Sequence, residues 1–118
     1  MHCDNIILDK CIEFSLEVMK FVQVLEENKK YVIAKQLLRS ATSIGSNVHE
    51  AQDAESKLDF IHKMKIATKE ANETWYWLLL CEKADNYPKN EALIISLTEI
   101  LKILNKIIST AKKNQANK

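Results

Sequence analysis

The stretch "QLLRSATSIGSNVHEAQ", Gln36 to Gln52, decides the fold because two of its patterns disagree. Ser40, Thr42, Ser43, Gly45, Ser46 and Asn47 are all poor helix formers. Yet Ala34, Leu37, Ala41, Ile44, Val48 and Ala51 recur at alternating steps of three and four, the seam of a helical bundle. Packing of such a seam routinely overrides propensity, so the stretch reads as a helix that meets something other than water on two sides. Beside the seam, at 100° per residue, Gln36, Arg39, Ser40, Ser43, Asn47 and Glu50 share a sector of about 100°. A solvated face would carry Lys and Glu. Amides and hydroxyls with one cation and one anion read as a close-packed polar contact, where Ser and Gly let another helix approach.

Working outward, each neighbouring segment carries one helical stripe. Upstream, Ile7, Cys11, Phe14, Val18, Phe21, Val22 and Leu25 follow a plausible cap at Asn5 and end in the polar turn "EENKK". Downstream, Ser56 with Asp59 resembles a capping box and opens a third stripe: Phe60, Met64, Ala67, Ala71, Trp75 and Leu78. "DNYPKN" breaks it, since Pro88 fits only a first helical turn. The fourth stripe is Leu93, Leu97, Ile100, Leu104, Ile107 and Ala111, dissolving in a polar tail expected to fray over 114–118. The expected fold is all-α, an antiparallel up-down-up-down four-helix bundle in one domain, with helices near 5–27, 31–54, 57–85 and 89–113.

Composition agrees. The 118 residues hold one Gly and one Pro, where average usage gives about eight and about six, so few turns are available. Cys3, Cys11 and Cys81 are too few and too scattered for a disulfide framework or a zinc site, and read as reduced thiols, Cys11 and Cys81 as core residues. Asp4 and Asp9 stand where a signal peptide would be apolar, and "WYWLLLC" is too short to span a membrane. A cytoplasmic protein with no membrane partner is expected.

Hairpin geometry assigns partners to the polar stripe. With helices two and three antiparallel about Ser56, facing residues have numbers that add to about 112. Arg39 then faces Glu73 or Glu70, and Glu50 faces His62 and Lys63, while Lys63, Glu70 and Trp77 repeat every seven residues on one face. The expectation is a polar zipper with Arg39 at least half-buried.

With those residues in place, "QLLRSATSIGSNVHEAQ" and "SKLDFIHKMKIATKEANETWYWL" resemble the bacterial four-helix-bundle family of 23S ribosomal RNA intervening-sequence proteins. The resemblance rests on Gln36, Arg39, Ser40, Ser43, Ile44, Asn47, Glu50, Phe60, Ala67, Glu70, Trp77 and Leu78 and covers nearly the whole chain. Gly45 stands where many members have Pro, and Val48 where they have Ile. The family is related to the accessory proteins of diversity-generating retroelements, basic pentameric bundles that contact reverse transcriptase and RNA. The resemblance implies a fold and a homo-oligomer, five subunits favoured, acting as a scaffold or adaptor. The alternative it implies is a nucleic-acid-binding partner of a reverse transcriptase.

Catalytic chemistry is not expected. His49, Glu50 and Asp53 fall one residue short of a metalloprotease signature. Glu50 is level with residue 62, while Glu70 lies about eight residues further along, roughly 12 Å, too far to share a metal. One glycine excludes a Gly-rich phosphate loop. No metal, cofactor or small-molecule substrate is expected; His62 reads as a surface residue and His2 as disordered. Two lysine clusters are candidate nucleic-acid contacts: Lys29, Lys30 and Lys35, and Lys102, Lys106, Lys112 and Lys113, with Lys118 beyond. A net charge of +1 lends them little support. Finally, "WYWLLLC" is apolar all round and the fourth helix has an apolar arc of about 180°, wider than one core requires. Trp75, Tyr76, Trp77, Leu79, Leu80, Ile94, Leu101 and Ile108 are therefore candidate subunit contacts.

Overall fold

A computed structural model describes residues 5–116. His2, Cys3 and Lys118, and with them the end of the polar tail, lie outside the described residues. Four helices follow in order: α1 (Ile6–Glu27), α2 (Tyr31–Ala51), α3 (Lys57–Lys83) and α4 (Glu91–Ala116). Each packs against its chain neighbour and α4 closes back on α1, giving an antiparallel four-helix bundle 53 Å long and 25 × 21 Å across.

Local chemistry sets the helix ends. Asn5 Oδ1 accepts from the Leu8 amide at 3.3 Å, and Ser56 Oγ from the Asp59 amide at 3.0 Å. Asp59 reaches back to the Glu55 amide at 3.2 Å, one residue before the position a capping box would use. Lys29 and Asn86 take positive φ, the left-handed conformation that the chain reversals after α1 and α3 demand, although neither is a glycine. α2 stops at Ala51, short of the expected 54, where the amides of Asp53 and Ala54 turn back onto carbonyls three residues earlier. α3 stops at Lys83 rather than 85, with Ala84 extended. The start of α4 also needs correction: Asn90, not Pro88, governs it. Asn90 Oδ1 accepts from the Leu93 amide at 3.1 Å, so the helix opens at Glu91. The Lys89 ammonium donates to the Cys81 and Ala84 carbonyls at 2.9 and 2.8 Å and closes the end of α3. α4 then runs on to Ala116, past the expected 113. Good helix formers and lysines beside the C-terminal dipole sustain it there.

The core fills the bundle axis. All seven residues of the α1 stripe are buried, as are the six of α2. In α3 the seam is displaced. Ile61, Met64, Ala67, Ala71, Thr74, Leu78 and Cys81 are buried, Phe60 is half-buried, and Trp75 lies 37% exposed. The displacement follows from size, since a threonine fits at the 74 level opposite Ser40 and an indole does not. In α4, Ile108 rather than Ile107 completes the buried row.

Candidate functional site

The polar stripe of α2 faces α3, and its small residues do two different jobs. Ser40 is fully buried, and so is Thr74 across from it. Thr74 Oγ1 donates to Ser40 Oγ at 2.8 Å, with the Glu70 carbonyl also at 2.8 Å, and Ser40 donates to the Leu37 carbonyl at 3.3 Å. A hydroxyl pair thus crosses the bundle with both oxygens satisfied, as burial requires. Ser43 and Asn47 instead donate to carbonyls of their own helix, Arg39 O at 2.7 Å and Ser43 O at 2.8 Å. Both are half-buried, as is Gln36.

Charges seal the outside of this contact. The Arg39 guanidinium lies between Glu70, at 3.2 Å, and Glu73, to which it also donates. The Trp77 indole N–H donates to Glu73 Oε2 at 3.1 Å, fixing that carboxylate from the other side. The hydrogen bond from Arg39, then that from Trp77, holds the Glu73 carboxyl below the usual carboxylate range. One turn from the far end, Lys63 bridges Glu50 at 3.7 Å and Asp59 at 3.8 Å. Both expected partners of Arg39 are found, and its side chain is 47% exposed, so the charge lies at the surface of the contact rather than inside the bundle. Its length carries the guanidinium out past the helix surface to the two carboxylates.

On its other side the same stretch meets α1. A Cβ built on Gly45 would come within 3.2 Å of Cys11 Cβ, so the missing side chain lets the two helices approach there. Burial pushes the Cys11 thiol up to about 12. It also raises Cys81, helped by nearby Glu82. Both thiols are buried and free.

The two lysine clusters do not form one surface. Lys29, Lys30 and Lys35 stand at the α1–α2 turn, where the Lys30 ammonium sits 4.5 Å from the Tyr87 ring centroid and joins the two loops of that end. Lys102, Lys106, Lys112 and Lys113 are exposed along α4 toward the opposite end. Among the described residues none of these four is ion-paired. Lys57 and Lys106 rim a groove of about 490 Å³ floored by Phe60, Ile107 and Ala111. No group of three His, Cys, Asp or Glu among the described residues could hold a metal ion, and no described helix is long and apolar enough to cross a membrane. His62 is exposed.

The apolar surplus divides. Tyr76 is 53% exposed and Leu80 37%, beside Trp75 and half-buried Leu79. Trp77 is half-buried with its ring edge-on to Tyr76 at 5.5 Å. Ile94 and Leu101 pack half-buried against the core. Ile108 is corrected to a core residue of its own chain, because the buried row of α4 passes through it. A second patch went unread in the sequence: Ile12, Leu16 and Met19 on α1 are 50%, 53% and 50% exposed. Their steps of four and three repeat the core stripe's own spacing, and that signal could have found them.

Comparison with known proteins agrees with this geometry. Residues 3–107 match the family described as 23S rRNA-intervening sequence protein. The chain is also similar, at 42% identity and a TM-score of 0.82, to a crystal structure from Bacteroides thetaiotaomicron VPI-5482, described as a protein with unknown function from the S23 ribosomal protein family. That alignment covers 87% of this chain and 98% of the other. No curated protein matches the sequence.

Proposed function

Since the chain belongs to the family of 23S rRNA-intervening sequence proteins, we propose that it works as a non-catalytic, self-assembling scaffold. The observation that carries the reading is the α3 patch. Trp75, Tyr76 and Leu80 stay exposed although the bundle has already buried a complete core. Contiguous apolar surface of this kind marks an interaction site. Large aromatic side chains supply most of the energy in such contacts. Static light scattering tests the proposal: the expected mass is a fixed multiple of the 13.6 kDa chain across dilution, five being the number the family resemblance favours. A single-chain mass at every concentration overturns it.

The unpaired lysines of α4 support a second reading, contact with RNA phosphates. Lys65 and Lys69 on the exposed side of α3 add to the same half of the molecule. Phosphate contact makes log affinity fall linearly with log salt concentration. Lys102→Gln with Lys106→Gln should weaken binding to a single-stranded RNA and flatten that slope. Lys35→Gln, at the other end, should change neither. Absence of filter binding at low salt removes this reading.

A further inference from the structure

We propose that the outer face of α1, where it borders α2, receives the α3 patch of a second copy of this chain, so that subunits associate head to tail. The inference rests on the self-assembly reading and names the surface that the α3 patch requires on its partner.

Three observations support it. Ile12, Leu16 and Met19 place half-exposed aliphatic side chains on successive turns of α1. Ile12 and Leu16 border a groove of about 330 Å³ whose other wall is Thr42, Gly45 and Ser46 of α2, and Met19 extends the row one turn beyond it. The hydroxyls of that wall are bonded to their own helix, Thr42 to the Leu38 carbonyl at 2.8 Å and Ser46 to the Ser43 carbonyl at 3.2 Å. They can therefore line an apolar contact without leaving a donor unpaired. Met19 adds an adaptable side chain suited to an aromatic neighbour.

Charge selects the occupant. α1 carries five acidic residues against two lysines, whereas exposed Lys69 and Lys83 stand seven residues before and after Tyr76 and flank the α3 patch on its own face. The near-neutral total conceals opposite signs on separate helices. Two α1 faces brought together would set acid against acid, and two α3 patches would set lysine against lysine. α1 against α3 places opposite signs in contact, the arrangement that steers association and excludes the like-with-like pairings. The contact is heterologous: the two surfaces differ, so it repeats from copy to copy and either closes into a ring or extends.

Two variants test the pairing. Leu16→Glu disables the α1 face and Tyr76→Glu the α3 patch; both sites are exposed, and unchanged circular dichroism confirms that each variant folds. Each alone should give the single-chain mass by light scattering. Mixed at high concentration, they should form a species of two chains and nothing larger, because one intact contact remains and both outer faces are then disabled. A monomeric wild-type protein overturns the scaffold reading itself. An assembled wild type with an equally assembled Leu16→Glu variant overturns only the role of α1. Monomeric variants that show no two-chain species on mixing overturn the head-to-tail pairing.

Discussion

The two sides of α2 use the same short vocabulary to opposite ends. Toward α3, small polar residues build a hydrogen-bonded bridge, Ser40 to Thr74, and the charges outside it are answered within the chain by Glu70, Glu73 and Lys63. Toward α1, Gly45 supplies only absence, a missing Cβ beside Cys11, and the surface outside that contact is the aliphatic row of Ile12, Leu16 and Met19. One contact is complete in a single chain. The other has an apolar rim that water covers poorly. The most recognisable polar residues of this sequence serve the fold, while the α1 row proposed as a docking surface lies where the sequence looks ordinary.

The largest expected effect breaks the α1 side. Gly45→Leu should lower stability in urea unfolding by about 3 kcal/mol, the upper part of the range for overpacking a close contact. Gly45→Ala should stay within about 1 kcal/mol of wild type, since the gain in helix propensity offsets the tight contact with Cys11. An unaffected Gly45→Leu protein would mean that α1 and α2 do not approach there. Alkaline pH probes the same contact. The Cys11 pKa is raised from 9.0 to about 12 on folding, so its contribution is whole below pH 9 and is lost as pH rises from there toward 12. The decline should reach about 1.4 kcal/mol per pH unit. Cys11→Ala should flatten it, leaving the smaller share due to Cys81; a profile unchanged by that substitution would contradict the burial of the thiol.

Effects on the α3 side should be smaller, because each group has more than one partner. Ser40→Ala and Thr74→Val should each cost about 1 kcal/mol. The double variant should cost less than the two together, as neither then strands a buried hydroxyl. Strict additivity in that cycle would show that the two hydroxyls do not interact. Arg39→Ala should cost less still, under about 1 kcal/mol, the range for an exposed ion pair. Its contribution should be present above the ordinary carboxylate range and lost as pH falls below it, because Glu73 titrates lower in the folded protein. A several-kcal/mol loss would restore the buried charge that the sequence had suggested.

These two sides were not equally legible. The seam of α2, the stripe of α1 and the level of Arg39 opposite Glu70 and Glu73 follow from spacing alone, because antiparallel neighbours with short turns leave one register. Thr74 was missed for a definite reason. A threonine between Glu73 and Trp75 carries no apolar signal, and Trp75 occupies a position that could complete the same stripe. Only the size limit opposite Ser40 decides between them, and size at a contact is a property of two helices together. Ile12, Leu16 and Met19 were hidden by the stronger stripe beside them on α1. The end of α3 and the start of α4 each shifted by two residues because side chains of Asn90, Glu82 and Lys89 fix the last loop through bonds that no local pattern announces.

The contrast between the two sides reduces to one measurement: the light-scattering mass of an Arg39→Ala, Glu50→Ala double variant beside the wild-type protein, at the concentrations that test the proposed assembly. If the polar stripe is internal to the chain, the variant keeps the wild-type mass while its melting temperature falls slightly. If it falls to the single-chain mass of 13.6 kDa while remaining folded, the stripe itself is the subunit contact and the account is wrong.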